Sequence, residues 1–168
     1  ELGLGPLDRL DPIALAELLA IPVITLGDLA HDRPGIRHLL EVEPDAFSAV
    51  TVFQGTRRTI VHNDGHSLAR QNSNLGHEMS HGLLHHPPTP ALDDSGCRVW
   101  DQDIEDEAGW LAGCLLVTEQ AALATARGRW TLSEAAERFA VSVSMMRFRL
   151  NATGAVRRVQ RAQAAGQR

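Results

Sequence analysis

Five consecutive residues constrain this chain more than any other feature: His77-Glu78-Met79-Ser80-His81, in which two histidines enclose a glutamate. Residues four apart lie on one face of an α-helix, so a helix here would direct both imidazoles at a single metal ion. Glu78 would lie beside them, where its carboxylate can take a proton from an attacking water. The spacing therefore favours a helix that carries a hydrolytic metal site over a fortuitous surface pair of histidines.

The residues around these five have the pattern of a core-facing helix. Apolar side chains recur every four residues from Leu75 to Leu83 and would form a buried stripe. Asn72 or Ser73 is the predicted N-cap, and Pro87 is the predicted end of the helix.

A catalytic zinc ion needs a third protein ligand and one open position. His85 shares a helical face with His77 and His81, but eight residues span about 12 Å of helix and each zinc–nitrogen bond is about 2.1 Å. His85 therefore cannot complete the site. We expect His85 and His86 to be helix-end residues that the helix dipole favours.

The acidic start of a second predicted helix, residues 103–108, is the expected source of the third ligand. These carboxylates would also complement the helix dipole, and both roles are compatible. Glu107 is favoured because the small Ala108 beside it would let the two helices approach closely. Glu105 is the reserve candidate, and spacing alone does not decide between them.

Upstream of the motif, the sequence predicts one helix and a small, mostly antiparallel sheet. Asp11-Pro12 is typical of a helix start, and the helix should end before Pro22. Residues 22–26 form a short predicted strand. Residues 46–53 and 57–62 are rich in β-branched side chains and are separated by a gap containing glycine, which predicts a hairpin.

Downstream of the motif, the sequence predicts helices. A loop is expected over 89–102, a long helix over 103–126, and two short helices that meet at Val141-Ser142. The predicted organisation has three parts: a metallopeptidase domain over 1–128, a helix-turn-helix-like pair over 129–154 on or next to it, and a frayed or disordered tail over 155–168.

Composition narrows the class of protein. Apolar residues make up 43% of the chain and charged residues 22%, as in an ordinary globular protein. No apolar run approaches the roughly 18 residues of a membrane span, so no membrane partner is expected. The net charge of −5 disfavours a broad nucleic-acid-binding surface. Two cysteines, Cys97 and Cys114, are too few for a disulfide framework, and we expect a cytoplasmic protein.

With these residues in place, the chain resembles the ImmA/IrrE family of metallo-endopeptidases. The resemblance covers about residues 11–154 and rests on three blocks, at 62–86, 104–117 and 135–150. It implies an α+β, zincin-like fold with an active-site helix, a second ligand-bearing helix and a C-terminal helical pair. It also places the third ligand at Glu107 and implies Zn²⁺ as the cofactor, with Mn²⁺ as an alternative in use.

The resemblance further implies a site-specific cut in a protein substrate, a helix-turn-helix repressor, which would relieve repression of stress-response or mobile-element genes. Substrate would add as a strand to an exposed sheet edge, for which residues 57–62 are the expected strand. The developing oxyanion needs a donor besides the metal. His66, Arg70, His62 and Asn63 are the candidates for contacting substrate or the transition state, and a turn or ion-pair role is the alternative for them.

The C-terminal pair leaves a second class of function open. Its second helix is basic around residues 145–150, so it could bind DNA or dock a protein instead of only packing on the core. The alternative to the enzyme is therefore a non-cleaving repressor-binding or DNA-binding regulator with a structural zinc. An intact Glu78 argues for the enzyme, because a structural site needs no general base.

Overall fold

The computed structural model describes residues 2–87 and 101–166. Most of the predicted loop over 89–102, and Cys97 with it, lies outside the described residues. The described elements are, in chain order, α1 (Pro12–Leu18), β1 (Val23–Thr25), α2 (Leu26–Leu29), α3 (Pro34–Glu41), a 3₁₀ turn (Pro44–Ala46), β2 (Ala49–Gln54), β3 (Arg57–His62), α4 (Leu68–Leu83), α5 (Gln102–Leu116), α6 (Glu119–Ala126), α7 (Leu132–Arg138), α8 (Val143–Ala152) and α9 (Ala155–Gly166).

The fold is α+β, as predicted, and its three described strands form a small mixed sheet in the order β1-β3-β2. The predicted hairpin is confirmed as the antiparallel pair β2–β3, in which Thr51 lies opposite Ile60. Strand β1 runs parallel to β3, so the sheet is less antiparallel than expected. The prediction that residues 57–62 form an exposed edge was wrong, because β3 is the central strand.

Helix α4 lies on this sheet through an apolar cluster. Ile60 of β3 packs with Leu75 and Met79 of α4 and with Ala16 of α1, and all four are at most 2% exposed. The helix begins after Ser67, more than a turn before the predicted N-cap. Asn72 is not its N-cap: it is buried, and its Nδ2 donates to the carbonyl of Ala140, 2.9 Å away.

Small residues let α5 pack closely against α4. A Cβ at Gly76 would lie 3.4 Å from the Leu116 side chain and 3.7 Å from that of Ala112. The long helix predicted over 103–126 is two helices, because the backbone of Val117 is extended. The Thr118 hydroxyl then caps α6 by accepting from the backbone N–H of Ala121.

The C-terminal pair, α7 and α8, shares a core with the end of α5 and the start of α6. Phe139 and Met146 from the pair are buried in one cluster with Leu116 and Val117. Arg149 of α8 is also buried, and its Nε donates to the carbonyl of Val117 at 3.0 Å. This contact caps the carboxyl end of α5, where a cation is favourable. The boundary proposed at residue 128 stays a prediction.

The tail differs from its prediction. Residues 155–166 form α9 instead of fraying, because Ala155 and Val159 are buried and Arg158 pairs with Glu119 of α6 at 2.7 Å. Cys114 has a free, partly exposed thiol. Among the helices within residues 2–87 and 101–166, none combines the length and the apolar character needed to cross a bilayer.

Candidate metal centre

Three side chains from two helices converge at the carboxyl-terminal half of α4. The Nε2 atoms of His77 and His81 are 3.0 Å apart. A carboxylate oxygen of Glu105, on α5, lies 3.0 Å from Nε2 of His77, and its other oxygen lies 3.8 Å from Nε2 of His81. Within the described residues, these three are the group whose ligand atoms could hold a metal ion.

The donor set fits a single divalent ion such as zinc. Tetrahedral ligands at about 2.1 Å from zinc stand roughly 3.4 Å from one another, and one ligand atom from each of the three residues lies within 4.8 Å of the other two. Two imidazole nitrogens and one carboxylate oxygen leave a fourth position open, as in catalytic zinc sites. The side chains are 22–30% exposed, so water and substrate can reach the centre.

Glu105, the reserve candidate, is a member of this cluster, and the favoured candidate Glu107 is not. On a helix, residue 105 shares a face with the buried Ala108 and with Ala112, which lies beside Gly76 of α4, whereas residue 107 is turned away from them. Glu107 lies 3.2 Å from Nε2 of His86 instead, and its side chain is 68% exposed. The geometry therefore points to the reserve candidate, Glu105, as the third ligand.

Glu78 faces the sheet beside this cluster. The Thr51 hydroxyl of β2 donates to its Oε2 at 2.5 Å. Burial raises the pKa of the Glu78 carboxyl above its usual value, and the hydrogen bond from Thr51 offsets part of that rise. A carboxylate with a raised pKa is a stronger base than an exposed one. The sequence did not identify Thr51, because the pattern of a strand does not show which of its residues will contact a neighbouring helix.

The backbone conformation at the carboxyl end of α4 places His86 next to His81. His85 adopts a left-handed conformation at φ 57°, and the backbone N–H of His86 donates to the carbonyl of His81 at 3.0 Å. This is a Schellman ending, which turns the residue after the left-handed one back onto the helix. The Nδ1 atoms of His86 and His81 are 2.9 Å apart, so His86 is more than the helix-end residue expected from sequence.

Burial also favours the neutral form of one member of the cluster, His81. It lowers the pKa of His81 below the usual histidine value, and the neighbouring His77 lowers it further. A neutral imidazole is the form that binds a metal. The surroundings of His81 therefore favour the form of its imidazole that can bind a metal.

The other predicted site residues organise the segment that leads into β2. Asn63 is fully buried and donates through Nδ2 to the carbonyls of Pro44 and Phe47. Nε2 of His66 lies 2.8 Å from the same Pro44 carbonyl. Arg70 forms an ion pair with Asp45. These contacts support the turn and ion-pair alternative, and none of them is directed at the metal ligands.

His62, the fourth of these candidates, closes β3. It is 3% exposed, and its Nδ1 has no hydrogen-bond partner among the described residues. Burial lowers the pKa of its imidazole, an effect that the nearby Asp64 and Asp28 only partly oppose. The neutral ring is thus a structural part of the interior.

The sequence profile of the IrrE N-terminal-like domain, a peptidase family, matches residues 32–151. The matched region runs from the residues before α3 almost to the end of α8, so it contains both helices of the candidate centre and the β2–β3 hairpin. No curated protein and no solved structure matches the chain. Since the profile spans most of the 168 residues, the chain belongs to the IrrE N-terminal-like domain family of peptidases.

Proposed function

We propose that this protein is a zinc metallo-endopeptidase whose ion is held by His77, His81 and Glu105. The observation that carries the proposal is the convergence of these three ligand atoms beside a buried carboxylate, Glu78. A structural zinc site is usually closed by four protein ligands, whereas here three described side chains leave room for a reacting group.

The chemistry divides between the ion and the protein. A zinc ion bound here supplies Lewis acidity, which acidifies water and polarises a peptide carbonyl. Glu78 accepts the proton of the attacking water and delivers it to the leaving amine. The Thr51 hydroxyl keeps the Glu78 carboxylate in position while that proton is transferred.

Strand β2 supplies a surface on which a peptide could lie. Among the described residues, no strand pairs with its outer edge, and Val52 and Phe53 are 49% and 37% exposed. Since Thr51 of the same strand contacts Glu78, a peptide added along this edge would pass the catalytic carboxylate. The edge proposed for the peptide is thus that of β2, in place of the central residues 57–62.

For the substrate, we propose a helix-turn-helix repressor protein in the cytoplasm, cut once to relieve repression. This part of the proposal is supported by the family resemblance. Mn²⁺ is the alternative metal in use. In α8, Arg149 is committed to the core, whereas Arg147 and Phe148 are exposed and could contact a protein partner or, less favourably, DNA. No contact among the described residues favours the non-cleaving regulator over the enzyme.

The test is the substitution Glu78→Gln in the zinc-loaded protein. Casein and a panel of purified helix-turn-helix repressors would be incubated with wild type and variant, and the fragments identified by mass spectrometry. Loss of a general base should lower the cleavage rate by about 10²–10⁴-fold, with zinc content and thermal stability kept. Glu137→Gln, an exposed carboxylate on α7, is the matched control and should cleave like wild type. Equal cleavage by the Glu78 variant would refute the mechanism.

A further inference from the structure

A cleft of about 790 Å³ lies between the end of α1, the β2–β3 hairpin and the end of α4, the helix that carries His77 and His81. One part of its wall is apolar and includes Leu19, Ile21 and Leu83. The hairpin contributes Arg57 and Arg58. No aspartate or glutamate is among the described residues that line this cationic cleft.

Arg58 is held on the same side of the sheet as the catalytic carboxylate. It lies opposite Phe53 in the hairpin register, and its guanidinium carbon is 5.4 Å from the centre of the Phe53 ring. A Cβ at position 82 would collide with this guanidinium, so Gly82 provides the space it occupies. Gly82 is one helical turn after Glu78 on the same face of α4.

Both guanidinium groups lack a carboxylate partner in the part of the chain that the structure describes. Among the described residues, the arginines that do form ion pairs are Arg70 and Arg158, with Asp45 and Glu119. The chain as a whole carries a net charge of −5. Two cations without a described carboxylate partner, in a cleft that no described aspartate or glutamate lines, are therefore a local complement to an anionic group.

The cleft lies at a fixed distance from the catalytic carboxylate along β2. Thr51 contacts Glu78, and Gln54, three residues later, lines the cleft. Three residues of strand span about 10 Å. A peptide paired with the outer edge of β2, with its scissile bond near Glu78, would thus place a side chain about three residues from the cut at the cleft.

We propose that the cationic cleft binds an aspartate or glutamate of the peptide substrate, about three residues from the scissile bond, and so selects acidic segments. This inference rests on the proposed peptidase function and gives its substrate a chemical class. A peptide is favoured over a nucleic acid because Gln54 of the edge strand β2 lines the cleft and part of the wall is apolar. The carboxylate would bind Arg58, Arg57 would add to the positive charge of the cleft, and neighbouring substrate side chains would contact the apolar wall.

The experiment measures binding apart from cleavage, in the full chain carrying Glu78→Gln and loaded with zinc. Two fluorescein-labelled probes are used, one peptide of alternating valine and glutamate and one of alternating valine and lysine. Fluorescence anisotropy should show that the glutamate peptide binds at least about fivefold more tightly, as expected for one or two partly exposed ion pairs. Adding Arg57→Gln and Arg58→Gln should abolish the preference. Arg157→Gln with Arg161→Gln, two exposed arginines on α9, is the matched control and should retain it.

Equal binding of the two probes, or a preference that survives the Arg57 and Arg58 substitutions, would overturn the inference. Stronger competition by duplex DNA than by unlabelled glutamate peptide would also overturn it and assign the cleft to nucleic acid. A failure of the proposed function can be distinguished from a failure of this inference. If the glutamate preference is present and the wild-type enzyme cuts neither casein nor repressors, the acidic site stands and the peptidase assignment does not.

Discussion

The Nδ1 atoms of His81 and His86 lie 2.9 Å apart, and the far side of the His86 ring reaches Glu107 at 3.2 Å. The His81 nitrogen that faces the candidate metal is Nε2, so His86 and Glu107 form a second layer behind that ligand. Such a layer fixes the ring orientation of a metal-binding histidine and tunes its basicity. The His86 side chain is 8% exposed, which keeps this arrangement rigid.

Removing the second layer should weaken metal binding without abolishing it. We expect His86→Ala to lower the affinity for Zn²⁺ by about 10–100-fold, the usual effect of losing such a partner. Competition against a chromophoric chelator measures the affinity directly. His85→Asn is the matched control, because the exposed neighbour tolerates asparagine in its left-handed conformation. An affinity for His86→Ala equal to that of the control would show that the contact plays no part in binding.

The Thr51 hydroxyl should set the acid limit of activity. Catalysis needs the ionised Glu78, and Thr51→Val removes the hydrogen bond that holds the Glu78 pKa down against burial. The pKa should rise, so the acid limb of kcat/KM for casein cleavage should move to higher pH, by about one pH unit for a charged hydrogen bond. Thr153→Val, on the C-terminal helices, should leave the limb in place. If the acid limb of the Thr51→Val profile stays at the wild-type pH or moves to lower pH, this role of Thr51 is contradicted.

The buried His62 should make the fold sensitive to mild acid. Folding lowers the pKa of the His62 imidazole. Below about pH 6.5, His62 is therefore protonated in the unfolded chain while it is still neutral in the folded chain. The free energy of unfolding should therefore fall as the pH drops below 6.5, until the folded His62 itself protonates. Urea unfolding of wild type and His62→Leu between pH 7.5 and 5.5 tests this. The variant should lose less stability over that range, and parallel pH profiles would rule out the contribution of His62.

Local rules predicted most of the elements that form the site. The four-residue spacing of the histidines, the β-branched runs around Gly55 and the Asp11-Pro12 start each depend on neighbours in sequence, and the structure has a helix, a hairpin and a helix at these places. The break between α5 and α6 was missed. It depends on Thr118, whose hydroxyl bonds the distant Pro6 carbonyl as well as capping α6, and a helical pattern does not reveal such a contact.

The spacing of the sequence alone could not decide whether Glu105 or Glu107 is the third metal ligand. The argument from Ala108 identified the correct contact surface, but a helix turns 100° per residue, so the residue adjacent to a contact faces elsewhere. Counting back three residues from Ala108 reaches Glu105, which shares its face. The role of His86 could not be derived in this way, because it depends on the left-handed ending of α4 at His85.

The most direct measurement of the central claim is the zinc content of three purified proteins: wild type, Glu105→Gln and Glu107→Gln, by elemental mass spectrometry after dialysis. Wild type should hold about one zinc per chain, as expected for one three-ligand site. Glu105→Gln should lose most of it, and Glu107→Gln should retain it, because Glu107 contacts only His86 of the residues around the centre. Zinc lost from Glu107→Gln and kept by Glu105→Gln would contradict the assignment, and a wild type that binds no zinc after reconstitution would contradict the metal centre itself.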